Sequence, residues 1–269
     1  MSDSDVEALE RIERKAWRDL GAAAPPDFAA GVGLQMHEFG EALMLMASRA
    51  PVFQFNWLSG AGLDGADADA IPVAVACFRD AGQPRFFVQI PPSPNAARLE
   101  APARAAGLAP HAIAWTKFER ETRDPPRVDA ALTIHEVGRV DCDLFAATVV
   151  AGFGMPPPMA MWLREIVGRP GWSCYVSFAG DEPAGAGALF VDEDAAWLGV
   201  GATKPPFRKR GGQSALIARR LADAARRGAR FAVTETGVPQ PGEPAPSHRN
   251  ILAAGFRAAY VRSNWALPA

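Results

Sequence analysis

The stretch Thr203-Lys204-Pro205-Pro206-Phe207-Arg208-Lys209-Arg210-Gly211-Gly212-Gln213-Ser214 decides how this chain is read. Before it runs Trp197–Ala202, apolar and glycine-bearing, which reads as a strand. After it, Gln213–Arg227 has the strongest helical period in the chain, with Leu216, Ile217, Ala218, Leu221 and Ala225 on one side and Gly228 as its stop. A strand that passes through a basic, glycine-containing turn into a helix N-terminus makes an anion site. The free N–H groups of the first helical turn and the helix dipole both favour negative charge there. Gly211 and Gly212 let the backbone come close to a phosphate. Arg208, Lys209 and Arg210 add positive charge with no carboxylate among them. The expected ligand is a di- or polyphosphate. Neither GxxxxGK(S/T) nor GxGxxG is present, which excludes a Walker loop and a Rossmann loop.

The flanking residues form an ordered series. Upstream of the turn, Leu132–Val137 alternates as a strand, Asp141–Val150 reads as a helix, Phe153–Pro158 as a Met/Pro loop and Met159–Val167 as a short helix. Ser173–Phe178 and Ala186–Val191 read as a hairpin around Gly180–Pro183. Downstream come a strand at Phe231–Thr234, a short helix at Ser247–Ala254 and a last strand at Phe256–Trp265. The earlier half begins with an amphipathic helix, Val6–Leu20. Phe39–Ser48 reads as a core helix, with a strand as the alternative for its second half. Strands follow at Val52–Leu58, Arg85–Ile90 and Ile113–Glu119, and helices at Ala70–Ala81 and Asn95–Ala106, with Asn95 as a possible cap. The charged, proline-bearing run Glu121–Arg127 is the best linker.

This order resembles the GNAT superfamily of N-acetyltransferases. The family's fingerprint is a strand ending V-x-P, an aromatic residue, then (R/Q)-x-x-G-x-(G/A) opening a long helix. Here it falls on Thr203–Gln213, and the resemblance covers residues 131–269. It implies the α/β (α+β) class, with a mixed, mainly antiparallel sheet flanked by helices. It implies an acyl-CoA-dependent N-acyltransferase that moves an acetyl group from acetyl-CoA to an amine of a small molecule or peptide by direct attack. The residues implied for the cofactor are Gly201, Ala202 and Thr203 at the end of the splayed strand, then Arg208, Lys209, Arg210, Gly211, Gly212, Gln213 and Ser214. Two residues depart from the pattern. Gln213 replaces the last Gly/Ala, where it either crowds the pyrophosphate or donates to it. Ile251 replaces the tyrosine that commonly protonates the leaving thiolate. Glu235, at the end of strand Phe231–Thr234, is the first candidate for general base. Tyr260, with Tyr175 as its rival, is the candidate acid in place of Ile251; these are the only tyrosines. His248 is a further candidate base, and Asn250 reads as a local backbone partner. Phe153–Pro158 matches the segment that walls the acceptor, and its Phe and Met suggest a partly apolar acceptor.

The two halves echo each other. Arg85–Val88 matches Arg230–Val233, and Ala105–Leu108 matches Ala253–Phe256, at an offset of about 145–150 residues. This predicts tandem GNAT-like domains, with residues 1–125 a degenerate copy and residues 126–269 the acyl-CoA-binding domain. The segment of the first half that matches the basic turn is Trp57–Asp69. It has glycines but neither Arg nor Lys, and it carries Asp64, Asp67 and Asp69, which would repel a pyrophosphate. The first half is therefore expected to lack a cofactor site.

Composition narrows the alternatives. A net charge of -2 and a pI near 6.1 argue against nucleic-acid binding. That also disfavours a tandem transferase using aminoacyl-tRNA. Cys77, Cys142 and Cys174 form no CxxC pair, and the four histidines, including His37, His111 and His135, form no HxH or HxxxH pair, so no metal is expected. An acidic start, Met1–Val6, and the lack of a long apolar run predict a cytoplasmic protein without a membrane partner, monomeric or homodimeric. The rival from another class is a non-catalytic acyl-CoA-binding regulatory module, which Ile251 favours.

Overall fold

The computed structural model describes residues 3–50, 53–63, 69–92, 96–128 and 131–268. In chain order the elements are α1 (Asp3–Ala22), α2 (Pro26–Val32), β1 (Leu34–Phe39), β2 (Ala42–Ala47), β3 (Asn56–Ser59), α3 (Ala70–Asp80), β4 (Phe87–Ile90), α4 (Ala96–Ala105), β5 (Ala109–Pro110) and β6 (Trp115–Glu121). Then come β7 (Thr133–Val137), α5 (Cys142–Phe153), α6 (Ala160–Leu163), β8 (Trp172–Ala179), β9 (Glu182–Asp192), β10 (Ala195–Thr203), α7 (Gly212–Arg226), β11 (Phe231–Gly237), α8 (Pro246–Ala253) and β12 (Arg257–Ala266). The chain divides into two compact units. One holds Met1–Ala22, Pro26–Lys117 and Ala259–Ala269; the other holds Ala23–Pro25 and Phe118–Ala258. This differs from a boundary at residue 125. Strand residues join whichever core their side chains reach: Lys117 bonds Glu13 of the first unit, whereas Phe118 packs in the core of the second. Likewise Phe256 belongs to the second core and Trp265 to the first.

In the first unit, β1, β2 and β3 form an antiparallel meander, β3 pairs with β4 in parallel, and β12 pairs antiparallel with β4 and β5. Its core gathers Met44, Met46, Leu58, Ile71, Phe78, Phe86, Val88 and Trp265. The stretch read as a helix, Phe39–Ser48, is instead the turn and second strand of the β1–β2 hairpin, with Gly40 at φ 61° in the turn. Every residue of β2 is buried, on both faces. Such a strand reads as a continuous apolar run, which periodicity cannot separate from a buried helix.

The polar face of α1 is not a solvent face. Glu10 is 0% exposed and Glu13 6%. Arg262 Nη1 donates to Glu10 Oε2 and to Glu13 Oε2, both at 2.7 Å, and Nη2 donates to Glu13 Oε1 at 3.1 Å. Lys117 pairs with Glu13 and lies 3.8 Å from Glu10, and the Tyr260 hydroxyl donates to Glu10 at 2.7 Å. Burial alone would raise both carboxyl pKa values. The charges of Arg262 and Lys117 outweigh it, so Glu10 lies below the ordinary range and Glu13 at about 2.

In the second unit, β7, β8, β9 and β10 are successively antiparallel, and β10 pairs with β11 in parallel. Ala196 and Leu198 of β10 pack with Leu216, Ile217 and Leu221 of α7. Trp197, on the alternate face, meets Trp172, whose ring also meets Phe190. The helix, its stop at Gly228 (φ 89°) and β11 follow the expected order.

Carboxylates held below their unfolded pKa contribute stability that is present above about pH 4.5 and is lost as pH falls through the folded value, near 2 for Glu13. Acid titration followed by circular dichroism should therefore show the first unit weakening between those limits. Glu13→Gln, which leaves Arg262 and Lys117 short of a counter-charge, should cost about 3–5 kcal/mol in urea unfolding at pH 7.

Candidate functional site

Strands β10 and β11 pair through three residues, Ala195–Trp197 against Phe231–Val233. Both then continue, to Thr203 and Gly237, without pairing to each other. At the fork Thr234 Oγ1 donates to the Leu198 carbonyl at 2.8 Å. On its other edge β10 carries a bulge. Gly199 pairs with Ala188 and Ala202 with Ala186, so Val200 and Gly201 together oppose Gly187. Val200 sits at φ 53°, a left-handed conformation that costs a β-branched residue about 1–3 kcal/mol. Gly201 is exposed. The β10–β11 pair thus parts after Trp197 and Val233, and the bulge leaves Gly201 exposed.

The basic turn leads from that strand to α7. Arg208 donates to the Thr203 carbonyl and to the Gly152 carbonyl at the end of α5, both at 3.3 Å. Its charge therefore fastens the turn to strand and helix. Lys209 and Arg210 are exposed, with the Arg210 guanidinium 5.3 Å above the Phe207 ring. Lys209 (φ 63°) and Gly211 (φ 78°) are left-handed, and Gly211 caps the start of α7. Successive amides in such a turn converge on a concavity that suits an anion. The N–H groups of Gly212, Gln213 and Ser214 open the helix and have no carbonyl of an earlier turn to bond. Gly212 is buried, and a Cβ there would lie 3.0 Å from Leu132 Cδ1. Gln213, the departure from the fingerprint, turns its amide back to donate to Thr203 Oγ1 at 3.0 Å. It clips the helix start to the strand end. Lys209, Arg210 and Gly211 stay exposed beside the helix start.

Glu235 lies on β11 beyond the fork. Its carboxylate accepts the Trp197 indole N–H, at 3.0 Å to Oε2 and 3.3 Å to Oε1. It is half-buried, on the face of β10 that carries Trp197. The other candidates stand elsewhere. Tyr260 belongs to the first unit, and its hydroxyl is committed to Glu10; burial and that carboxylate raise its pKa. Tyr175 is buried and donates to Asp223 Oδ2 at 2.7 Å, with its pKa raised by burial and by that bond. His248 packs edge-on against Phe118, and Ile251 is buried in the core. Phe153 and Met161, flanking the loop read as the acceptor wall, are 49% and 47% exposed. Asp64 and Asp67 of the first-unit segment lie outside the described residues, as does Asn95.

The sequence reading missed the bulge at Val200, the Trp197–Glu235 bond and Arg220. One signal was available: Gly185 and Gly187 alternate in a strand, which marks a close approach from one side. A Cβ at Gly187 would meet Arg220 Cζ at 2.9 Å. Among the described residues, no group of three or more His, Cys, Asp or Glu side chains is arranged to hold a metal ion. Nor is any helix of the described residues long and apolar enough to cross a membrane.

No protein-family model matches the sequence, and no curated protein does. Solved structures do match. A GCN5-related N-acetyltransferase from Kribbella flavida is 14% identical, with 97% of this chain and 96% of that one covered at a TM-score of 0.58. A tandem GNAT protein from the clavulanic acid biosynthesis pathway is 17% identical, covering 98% and 95%, also at 0.58. A GNAT-family acetyltransferase structure from Novosphingobium aromaticivorans is 16% identical, covering 98% and 99% at 0.55. The fold of this chain is thus that of GNAT proteins across nearly its whole length, including one built as a tandem. Replacing Gly211 by alanine, which forces a Cβ into the left-handed cap, should cost about 1–2 kcal/mol in chemical denaturation of the second unit.

Proposed function

We propose that the second unit is an acyl-CoA-dependent N-acetyltransferase that moves an acetyl group to an amine of a small molecule or peptide. The observation that carries this reading is a single continuous line of features. It runs from the β10–β11 fork, through the Val200–Gly201 bulge and the left-handed turn, to the N-terminus of α7. In this reading Lys209, Arg210 and the amides of Gly211–Ser214 hold the pyrophosphate. Gly201, Ala202 and Thr203 offer backbone to the pantetheine arm. Acetyl-CoA supplies an activated thioester; the chain supplies placement, desolvation and a base. Glu235 takes the proton of the attacking amine, and the Trp197 indole fixes its carboxylate. Phe153 and Met161 give the acceptor side an apolar rim. Ile251 offers no proton, so the leaving sulfur draws its proton from solvent.

The first unit is assigned no cofactor. Its parallel pair β3–β4 is the counterpart of β10–β11, but Arg14 of α1 packs on Gly60 just beyond β3, its guanidinium 2.8–2.9 Å from where a Cβ would stand. Arg14 is 2% exposed, so α1 covers the place where the second unit has its cleft. The alternative, a non-catalytic acyl-CoA-binding module, is favoured by the apolar Ile251.

Acetyl-CoA at millimolar concentration should raise the melting temperature; no shift would remove the cofactor claim. Thiol release across a panel of amines separates enzyme from binding module. Glu235→Gln keeps an acceptor for the Trp197 indole, so it should lower kcat by about 10²–10⁴-fold with acetyl-CoA affinity kept. Unchanged kcat would show that Glu235 is not the base.

A further inference from the structure

Arg220 lies two turns into α7 and is 3% exposed. All its hydrogen bonds go to carbonyl oxygens. Nη1 donates to Ala188 at 3.1 Å and to Gly199 at 3.0 Å, and Nε donates to Leu216 at 3.1 Å. Among the described residues no carboxylate pairs with it. Burial lowers its pKa to about 10, so it stays charged at neutral pH. If the core needed only volume here, an apolar side chain would serve better, since an uncompensated buried charge opposes folding.

The bulge gives the guanidinium a purpose. Gly199 and Ala188 form the last ordinary pair before Val200 and Gly201 crowd opposite Gly187. There the ladder is interrupted, and its carbonyls need other donors. One nitrogen of Arg220 serves the carbonyls on both strands. Gly187 leaves room for it, since a Cβ there would lie 2.9 Å from Cζ. Nη2 faces Gly201, 3.5 Å from where a Cβ would stand on that residue. The same cation thus grips β9 and β10 and borders the exposed backbone of the bulge.

We infer that Arg220 is a positioning residue for the acyl donor: it holds the Gly199–Ala202 bulge in the shape that presents Val200 and Gly201 backbone to the pantetheine arm. This rests on the acyl-CoA reading above. It separates the site into two parts, the basic turn for the pyrophosphate and the Arg220-supported bulge for the arm.

The test compares whole coenzyme A with adenosine diphosphate, which reaches only the turn. Both are titrated calorimetrically into wild type, Arg220→Met and Arg220→Lys, with kcat and KM measured by thiol release. Arg220→Met should fold, bind adenosine diphosphate as wild type does, bind coenzyme A at least about ten-fold more weakly, and lose kcat as well. Arg220→Lys, which keeps the charge and a donor, should recover part of both. Wild-type coenzyme A affinity and kcat in folded Arg220→Met would overturn the inference. If that variant fails to fold, Gly187→Ala decides. Its methyl pushes the guanidinium off the bulge, and the same selective loss for coenzyme A is expected; unchanged affinity overturns the inference. A wild type that binds neither ligand removes the acyl-CoA reading and this inference with it. Failure of the inference alone appears only in the variants.

Discussion

Two parallel strands that part after three residue pairs leave main-chain groups without partners, and the second unit is organised around that cost. Side-chain donors meet part of it and tie neighbouring elements to the same place. The Thr234 hydroxyl takes the Leu198 carbonyl, Arg220 takes those of Gly199 and Ala188, and Arg208 takes those of Thr203 and Gly152. Donors on the chain are thus spent on carbonyls. The amides of Gly212, Gln213 and Ser214 open α7 and have no carbonyl of an earlier turn to bond.

The two units use the same strand arrangement for opposite ends. In the second, the charges of the basic turn sit at the surface: Lys209 and Arg210 are exposed. In the first, charge is sealed inside. Glu10, Glu13, Lys117 and Arg262 are buried together and bridged by short contacts. A buried network of that kind contributes little net stability over an apolar core but penalises any rearrangement that separates its members. Helix α1 is thereby fixed in one place, where its Arg14 covers Gly60.

Much of this was legible in the sequence, and the divide between what was and was not has a physical basis. The turn at Thr203–Ser214 and helix α7 were readable because their chemistry is local: glycines, cations and a helical period within one short window. The two-sided burial of β2 was not, since burial from both faces erases alternation. Glu10 and Glu13 looked like the wet side of an amphipathic helix. Their partners, Lys117, Tyr260 and Arg262, stand more than a hundred residues away. Arg220 drew no reading, since the carbonyls it bonds, Ala188 and Gly199, lie on two strands whose bulge is not visible in the sequence. Glu235 was singled out as a candidate from its place at a strand end, but the indole that bonds it comes from a different strand.

The last strand carries a consequence for how the chain is made. Arg262 reaches Glu10 and Glu13 across 252 and 249 residues, and the second unit's Phe118–Ala258 lies between. Contacts so distant in sequence are slow to form. On the ribosome they have to wait for synthesis as well. The segment from Lys117 to Arg262 takes on the order of ten seconds to emerge at usual elongation rates. During that time Glu10, Glu13 and Lys117 exist without their guanidinium, and β4 without its neighbour β12. The nearly continuous second unit is complete first. Completion therefore runs against the order of the gene, and the N-terminal unit is the one whose core closes last.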